Sequence, residues 1–317
     1  NKSIINNRCA MRDLPKINQL KNFKAIIQYG SIRAASQALH QTQPAMTRSI
    51  QELEKVLGVS LLVRGGRGVV LSEMGRIFEP RANMVLNELE RAIDELRQVE
   101  HSSQGTVTFG CSHLPAFGIV PNVITKFQQR YTTAKFTVVE GQLSELLPSL
   151  RLGRMDFFIG MISPDISLHE FDNEHLAIAE FAVIARKGHP LINSRSLRDL
   201  QAAKWYIPTA SAGYFSNMET VIFPYGRKPT CSVLFGDSTT IAEQLVLNED
   251  YLFVGPKAML AIPYLQNIVT SIPIKEKLPD GKYSLIYRQQ QVLPPLAKHL
   301  IDEIRFAYWE LMSRQIT

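Results

Sequence analysis

Residues 42–58 read TQPAMTRSIQELEKVLG, and what this stretch forms decides the N-terminal fold. Met46, Ile50, Leu53 and Leu57 recur at steps of four, three and four, the spacing of one helix face turned inward. Thr42 stands where a side-chain oxygen caps a helix start, and Gly58 closes the run. Pro44 tolerates an early position because its missing N–H has no intrahelical partner there. Opposite the apolar face lie Gln43, Thr47 and Gln51, beside Pro44, Arg48 and Lys55, and acids begin only at Glu52. A solvated face explains any one of these residues. The set, an amide, a hydroxyl and a guanidinium in the first turns, asks for a polar partner.

Upstream, Ile17, Leu20, Phe23, Ile26 and Ile27 predict a helix that stops at Gly30. Ser31 caps a second one, IRAASQALH, whose Ala34, Ala35, Ala38 and Leu39 predict a small-residue packing face. Two helices with a tight turn, the second presenting polar groups from its start, form a helix-turn-helix. Gln and Arg carry paired hydrogen-bonding groups that match adenine and guanine edges, and Thr suits a thymine methyl or a phosphate. The candidate contacts to double-stranded DNA are Thr42, Gln43, Pro44, Thr47 and Arg48, with Arg33 from the preceding helix.

Downstream, Leu61–Val63 and Val69–Leu71 flank Arg64-Gly65-Gly66-Arg67-Gly68, which predicts a basic hairpin. Beside a helix-turn-helix this is a wing, with Arg64 and Arg67 set for phosphates. A phosphate-cradling glycine loop is the competing reading, but the Lys-Ser/Thr ending of a P-loop is missing. Ser72 and Glu73 then open a long helix in which Ala82, Leu86, Leu89, Ile93 and Leu96 form a seam for another helix, either a dimer contact or a core. Pro80 should bend it, and EHSSQG after Val99 reads as a linker.

The charge supports this division. Residues 1–70 carry eleven Lys or Arg against three acids, a net of +8; the remaining 247 carry 24 against 26, a net of −2. The positive excess sits with the helix-turn-helix, where a polyanion would be met. At 317 residues the chain is long enough for two or three domains. Cys9, Cys111 and Cys231 are odd in number and far apart, which fits a reducing cytoplasm, and no run of about 18 apolar residues suggests a membrane span. Residues 1–16 read as a polar leader.

The C-terminal two thirds alternate. GTVTFGC, AKFTVVEG and DFFIGM are β-prone runs separated by helical IVPNVITKFQQRY and QLSELLPSLRLG. The pattern restarts with AIAEFAVIAR, AKWYIP, PTCSVLFG and YLFVG, and with helical STTIAEQLVLN. This predicts two α/β lobes, each a parallel sheet with covering helices, around a cleft. In such sheets ligands collect beyond the carboxyl ends of strands. Ser112 and His113, then Gln142, Leu143 and Ser144, then Thr209, Ser211 and Gly213 occupy those places, where each is also an ordinary cap or turn residue. Their hydroxyls and nearby N–H groups suit a carboxylate or sulfonate.

The stretch GSIRAASQALHQTQPAMTRSIQELEKVLGVSLLVR resembles the signature of LysR-type transcriptional regulators, including Ala34-Ala35, Gln43-Pro44-Ala45, Ile50, Leu53-Glu54, Leu57-Gly58 and Arg64. The resemblance continues more loosely through LRLGRMDFFIG and Gly188-His189-Pro190-Leu191; Thr47 and Val63 depart from the commoner serine and phenylalanine. It implies an α/β protein with an N-terminal winged helix-turn-helix over 17–72 and a dimerising linker helix over 73–102. A two-lobed effector-binding module resembling periplasmic binding proteins follows over 105–317. Lobe I would be 105–164 and 270–317 and lobe II 165–269, with crossings near Ser163 to Ile166 and Asn267 to Thr270. It further implies an inverted-repeat promoter, a small-molecule effector, a homodimer or homotetramer, and RNA polymerase as a further partner. The same three loops would line the effector cleft.

No cofactor or metal is expected. The seven histidines are dispersed, with no HExxH or Cys-His spacing, and no GxSxG surrounds a serine. Glu140, Asp165 and Asp237 are placed to face a cleft, but carboxylates alone define no reaction. An enzymatic or solute-binding α/β protein would leave the basic N-terminal segment without a role.

Overall fold

The computed structural model describes residues 14–65, 68–100, 104–162, 166–208, 217–224, 226–228, 230–289 and 291–315. The chain divides into two compact units, Asn1–Ile93 and Asp94–Thr317.

In the first unit α1 (Ile17–Tyr29), α2 (Ile32–Ala38) and α3 (Gln43–Leu57) are followed by the hairpin β1 (Leu62–Gly65) and β2 (Gly68–Leu71) and by α4 (Glu73–Glu100), which continues into the second unit. The apolar steps of α1 and α3 point inward together: Leu20, Phe23, Ile26, Met46, Ile50 and Leu53 share one core. Gly30 and Gly58 end α1 and α3 in the left-handed region, at φ 69° and 71°. Ser31 Oγ caps α2 by accepting from Ala34 N–H (3.1 Å). The small-residue face of α2 is narrower than expected: Ala35 is buried, but Ala38 and Leu39 face solvent, because the helix is only two turns long and its end turns away through Leu39. At Gly75 the backbone of α4 runs so close to the wing that a Cβ would fall onto the Leu61 carbonyl oxygen.

α4 is continuous through Pro80. Of its apolar seam only Ala82 and Leu86 enter the core of the first unit; Leu89, Ile93 and Leu96 are exposed. The division between the two compact units falls inside this helix, between Ile93 and Asp94. Within the second unit Gln98, 4% exposed, accepts through Oε1 from Leu296 N–H (3.2 Å), which ties the end of α4 to α10 (Pro295–Gln315).

The second unit holds two five-stranded sheets. β3 (Gln104–Cys111), β4 (Thr133–Glu140), β5 (Phe157–Ile162), β6 (Phe171–Ala179) and β12 (Gly281–Arg288) form the first, in the order β4-β3-β5-β12-β6. Its faces are covered by α5 (His113–Gly118), α6 (Val120–Arg130) and α10 (Pro295–Gln315) on one side and α7 (Leu143–Arg151) on the other. Adjacent residues serve opposite faces: Phe157 and Ile159 pack under α6 and α10, Phe158 under α7. β7 (Phe181–Arg186), β8 (Lys204–Pro208), β9 (Ser232–Gly236), β10 (Tyr251–Pro256) and β11 (Val269–Ile272) form the second sheet, in the order β11-β7-β10-β8-β9. α8 (Met218–Ile222) and α9 (Thr239–Asn248) cover opposite faces of it.

Two expectations are corrected. Both sheets are mixed: β12 runs antiparallel to β5 and β6, and β7 runs antiparallel to β10 and β11. The crossings also lie elsewhere. β6 pairs with β12 in the first sheet, so the chain changes sheet at Glu180, beyond the Ser163–Ile166 segment. β11 pairs with β7 in the second, so the return follows Ile272 and comes after Asn267 to Thr270. AIAEFAVIAR therefore spans two strands of two sheets, split at Glu180.

Among the described residues no helix is long and apolar enough to cross a membrane, and no cluster of His, Cys, Asp or Glu could hold a metal ion. His189 is a buried turn residue: Nδ1 accepts from Leu191 N–H (3.0 Å), which leaves Nε2 to donate to the Asp250 carbonyl (3.2 Å).

Candidate functional site

Two sets of residues come together, one in each unit. In the first, Thr42, Gln43, Pro44 and Arg48 are exposed along the first turns of α3, opposite Met46, Ile50 and Leu53. Thr42 Oγ1 caps the helix, accepting from Ala45 N–H at 3.4 Å. Thr47 donates its hydroxyl to the Gln43 carbonyl (2.9 Å), so its methyl and its acceptor lone pairs are what it offers outward. Arg48 is not isolated from acids as the sequence suggested: its Nε donates to Glu52 Oε1 (3.1 Å) one turn on. With an 81% exposed side chain this pair stabilises little, but it orients the guanidinium along the helix. Arg33 is exposed in the first turn of α2. The side chain of Arg64 and the whole of Arg67 lie outside the described residues.

The support beneath this surface is more specific. Leu61 and Leu62 N–H both donate to Glu54 Oε1 (2.6 and 3.1 Å), which ties the end of α3 to the wing. Ser72 Oγ donates to the Ser60 carbonyl (2.6 Å) and accepts from Gly75 N–H (2.9 Å), fixing where α4 starts. Asn22 of α1 donates to Ser49 Oγ of α3 (2.9 Å).

In the second unit a cavity of about 370 Å³ opens between the two sheets. Ser112, His113, Gln142, Leu143 and Ser144 all line it, from the carboxyl ends of β3 and β4. Thr209, Ser211 and Gly213 lie outside the described residues. The facing wall holds groups that sequence reasoning missed: Ser238, Thr239 and Thr240 at the start of α9, with Tyr206 behind them. STTIAEQLVLN was legible only as a helical stretch, and nothing in that pattern distinguishes a helix cap from a ligand contact.

The geometry on both walls depends on missing side chains. A Cβ at Gly160 would lie 2.7 Å from Ser112 Oγ, and one at Gly236 2.5 Å from the Tyr206 hydroxyl. Tyr206 donates to the Ser238 carbonyl (3.0 Å), holding the start of α9. Ser112 Oγ is shielded from solvent and makes no well-formed hydrogen bond, although the Tyr283 phenol stands near enough to feel it. Burial raises Tyr283 above the usual phenol range, and the Ser112 hydroxyl acts the other way. Burial likewise pushes the Cys111 thiol up to about 12, with Glu140 adding to it, so it is no nucleophile near neutral pH.

A polar latch spans the lobes beside the cavity. His113 Nδ1 is 2.8 Å from Glu140 Oε1, and its Nε2 is 3.5 Å from Glu243 Oε1, an ion-pair distance without a hydrogen bond. Tyr264 donates to the same Glu243 oxygen (2.9 Å), and its ring lies 5.0 Å from Phe117.

Residues 17–76 match the family described as bacterial regulatory helix-turn-helix protein, lysR family, and residues 100–308 match the LysR substrate binding domain. The chain belongs to the LysR family. It is 31% identical over 289 residues to the HTH-type transcriptional regulator TdcA of Escherichia coli (strain K12), covering 91% of this chain and 92% of that one. It is 33% identical over 307 residues to the HTH-type transcriptional regulator PcaQ of Agrobacterium fabrum (strain C58 / ATCC 33970), covering 94% and 96%. Its fold is shared with CbnR, a LysR family transcriptional regulator, at a TM-score of 0.65 and 20% identity over 92% of this chain and 99% of that one. A full-length CbnR complex with its target DNA gives the same TM-score at 22% identity, again over 92% and 99%. This LysR-type regulator therefore couples a DNA-binding helix-turn-helix to an effector-binding α/β module.

Proposed function

We propose that this regulator reads promoter DNA with the first turns of α3 and answers to an organic acid bound between its two lobes. The observation that carries the effector site is the cavity flanked by Ser112 and Ser144 on one wall and Ser238 to Thr240 on the other. Hydroxyls and the free N–H groups at the start of a ten-residue helix are suited to an oxyanion. Two lobes joined at Glu180 and after Ile272 respond to a ligand that prefers one arrangement of them. The latch of His113, Glu140, Glu243 and Tyr264 is the contact such a rearrangement would remake.

On this reading the chain is a cytoplasmic homodimer, paired through the exposed row of α4, that assembles into a tetramer on an inverted repeat, and it is no enzyme. RNA polymerase is the partner that would carry the response to transcription.

Replacing Ser112 by Ala removes one hydroxyl from the cavity wall. Effector binding should weaken by about 0.5–1.5 kcal/mol, more if the acceptor is charged. DNA affinity without effector should hardly change. An unmoved dose–response curve in a promoter-binding titration would place the ligand elsewhere.

The reading head is tested separately. Gln43→Ala should cost about 1–3 kcal/mol on the specific site and relax the preference at one base pair. Arg67→Ala should weaken specific and random duplexes alike and lower the salt slope. Equal losses for both variants on both DNAs would refute this division of labour.

A further inference from the structure

We infer that the effector is a small zwitterion, an organic acid that also carries an ammonium group. This deepens the cavity reading above and rests on it. The lining has a charge pattern that a simple anion does not explain. Among the described residues no Lys or Arg lines the cavity, whereas Glu140 enters from one lobe and Asp237 from the other.

The remaining charged groups are already occupied. Glu145 lines the cavity too, but its Oε2 accepts from Gln142 N–H (3.3 Å) as part of the capping of α7. His113 stands between two carboxylates, Glu140 at 2.8 Å and Glu243 at 3.5 Å, so a charge on its ring is matched before any ligand arrives. Asp237 has no hydrogen-bond or ion-pair partner among the described residues. Its position just before the Ser238 cap does favour α9 through the helix dipole, a role that needs no ligand.

A ligand with only negative charge would bring it towards the like charges of Glu140 and Asp237, both of which stand at the solvent-exposed rim of the cavity. A carboxylate and an ammonium on one small skeleton satisfy both halves of the lining. The carboxylate meets Ser112 and the start of α9; the ammonium meets Asp237, with Glu140 adding to the attraction. A volume of about 370 Å³ suits such a molecule.

The test uses the full chain and a panel of the twenty standard α-amino acids, screened by thermal shift and measured by calorimetry. Each binder is compared with its deamino acid and its carboxamide. The expected result is at least about tenfold weaker binding for both analogues. Asp237→Asn should weaken the amino acid about tenfold and close its gap to the deamino acid. A merely helix-stabilising Asp237 would instead lower the melting temperature without ligand and leave that gap unchanged, which overturns the inference. Deamino acids that bind as tightly as amino acids overturn it too, as does a panel without a binder. Thr240→Trp fills the cavity: binding that survives it refutes the cavity reading itself, whereas binding lost there without discrimination between amino and deamino acids refutes only the zwitterion.

Discussion

Leu89→Asp is expected to raise the dimer dissociation constant at least about 100-fold, a cost of about 3 kcal/mol. Within one chain Leu89 and Ile93 are 40% and 42% exposed and Leu96 is 71% exposed, each on the apolar row that Ala82 and Leu86 begin inside the core of the first unit. One helix thus uses the first part of its row for its own fold and leaves the rest open. The three- and four-residue steps suit a second copy of the same helix packed along it. An aspartate at the middle of that contact would be desolvated twice per dimer. Operator affinity should collapse with it, since two half-sites are then no longer held by one molecule. Leu89→Met, which keeps the volume, should sediment as the parent protein does. If Leu89→Asp also sediments as the parent does, the contact is not on this row.

How much of this was legible depends on whether a residue's neighbours are near in sequence. The three helices of the head were readable because their caps and apolar steps are local: Ser31, Thr42, Gly30 and Gly58 do what their types predict. Exposure at the end of a short helix is not local, so Ala38 and Leu39 were read into a packing face, and both are exposed. The strand after Leu176 looked continuous because β-propensity does not register a change of sheet, and the break at Glu180 is set by pairing to Gly281 on one side and to Pro256 on the other. β12, the shared partner of β5 and β6, went unread: it follows no helix-strand alternation and runs antiparallel to both neighbours.

The cavity was half legible for the same reason. The loops after β3 and β4 could be found from strand ends alone, and Ser112, His113, Gln142, Leu143 and Ser144 do face the cavity. Of the opposite wall, among the described residues, only Asp237 was foreseen. Ser238 to Thr240 reach it because Tyr206, 32 residues before Ser238, holds that residue's carbonyl, and because Gly236 leaves room for the phenol. No short-range pattern encodes a contact of that length.

Glu54 shows the limit inside the recognised signature, and its removal should have the second largest effect. The sequence marks Leu53-Glu54 as part of the family pattern without saying what the carboxylate does. In the fold a single oxygen, Oε1, takes the N–H groups of Leu61 and Leu62, and Leu61 is fully buried. Bonds to a charged acceptor contribute about 1.5–3 kcal/mol each, and an orphaned buried N–H costs about 1–3 kcal/mol. Because the two bonds share one acceptor, their effects do not add in full. Glu54→Ala should therefore destabilise the head by about 2–4 kcal/mol, out of the 5–15 kcal/mol that holds a typical domain together. The denaturation midpoint of the head should fall, with DNA binding failing before the effector module unfolds. Glu54→Gln presents a neutral oxygen at the same reach and should retain both bonds at a cost of about 1 kcal/mol. Glu54→Asp, one methylene shorter, should behave like Ala. If Gln proves as damaging as Ala, the charge matters more than the geometry, and the carboxylate is answering a cation as well as two amides.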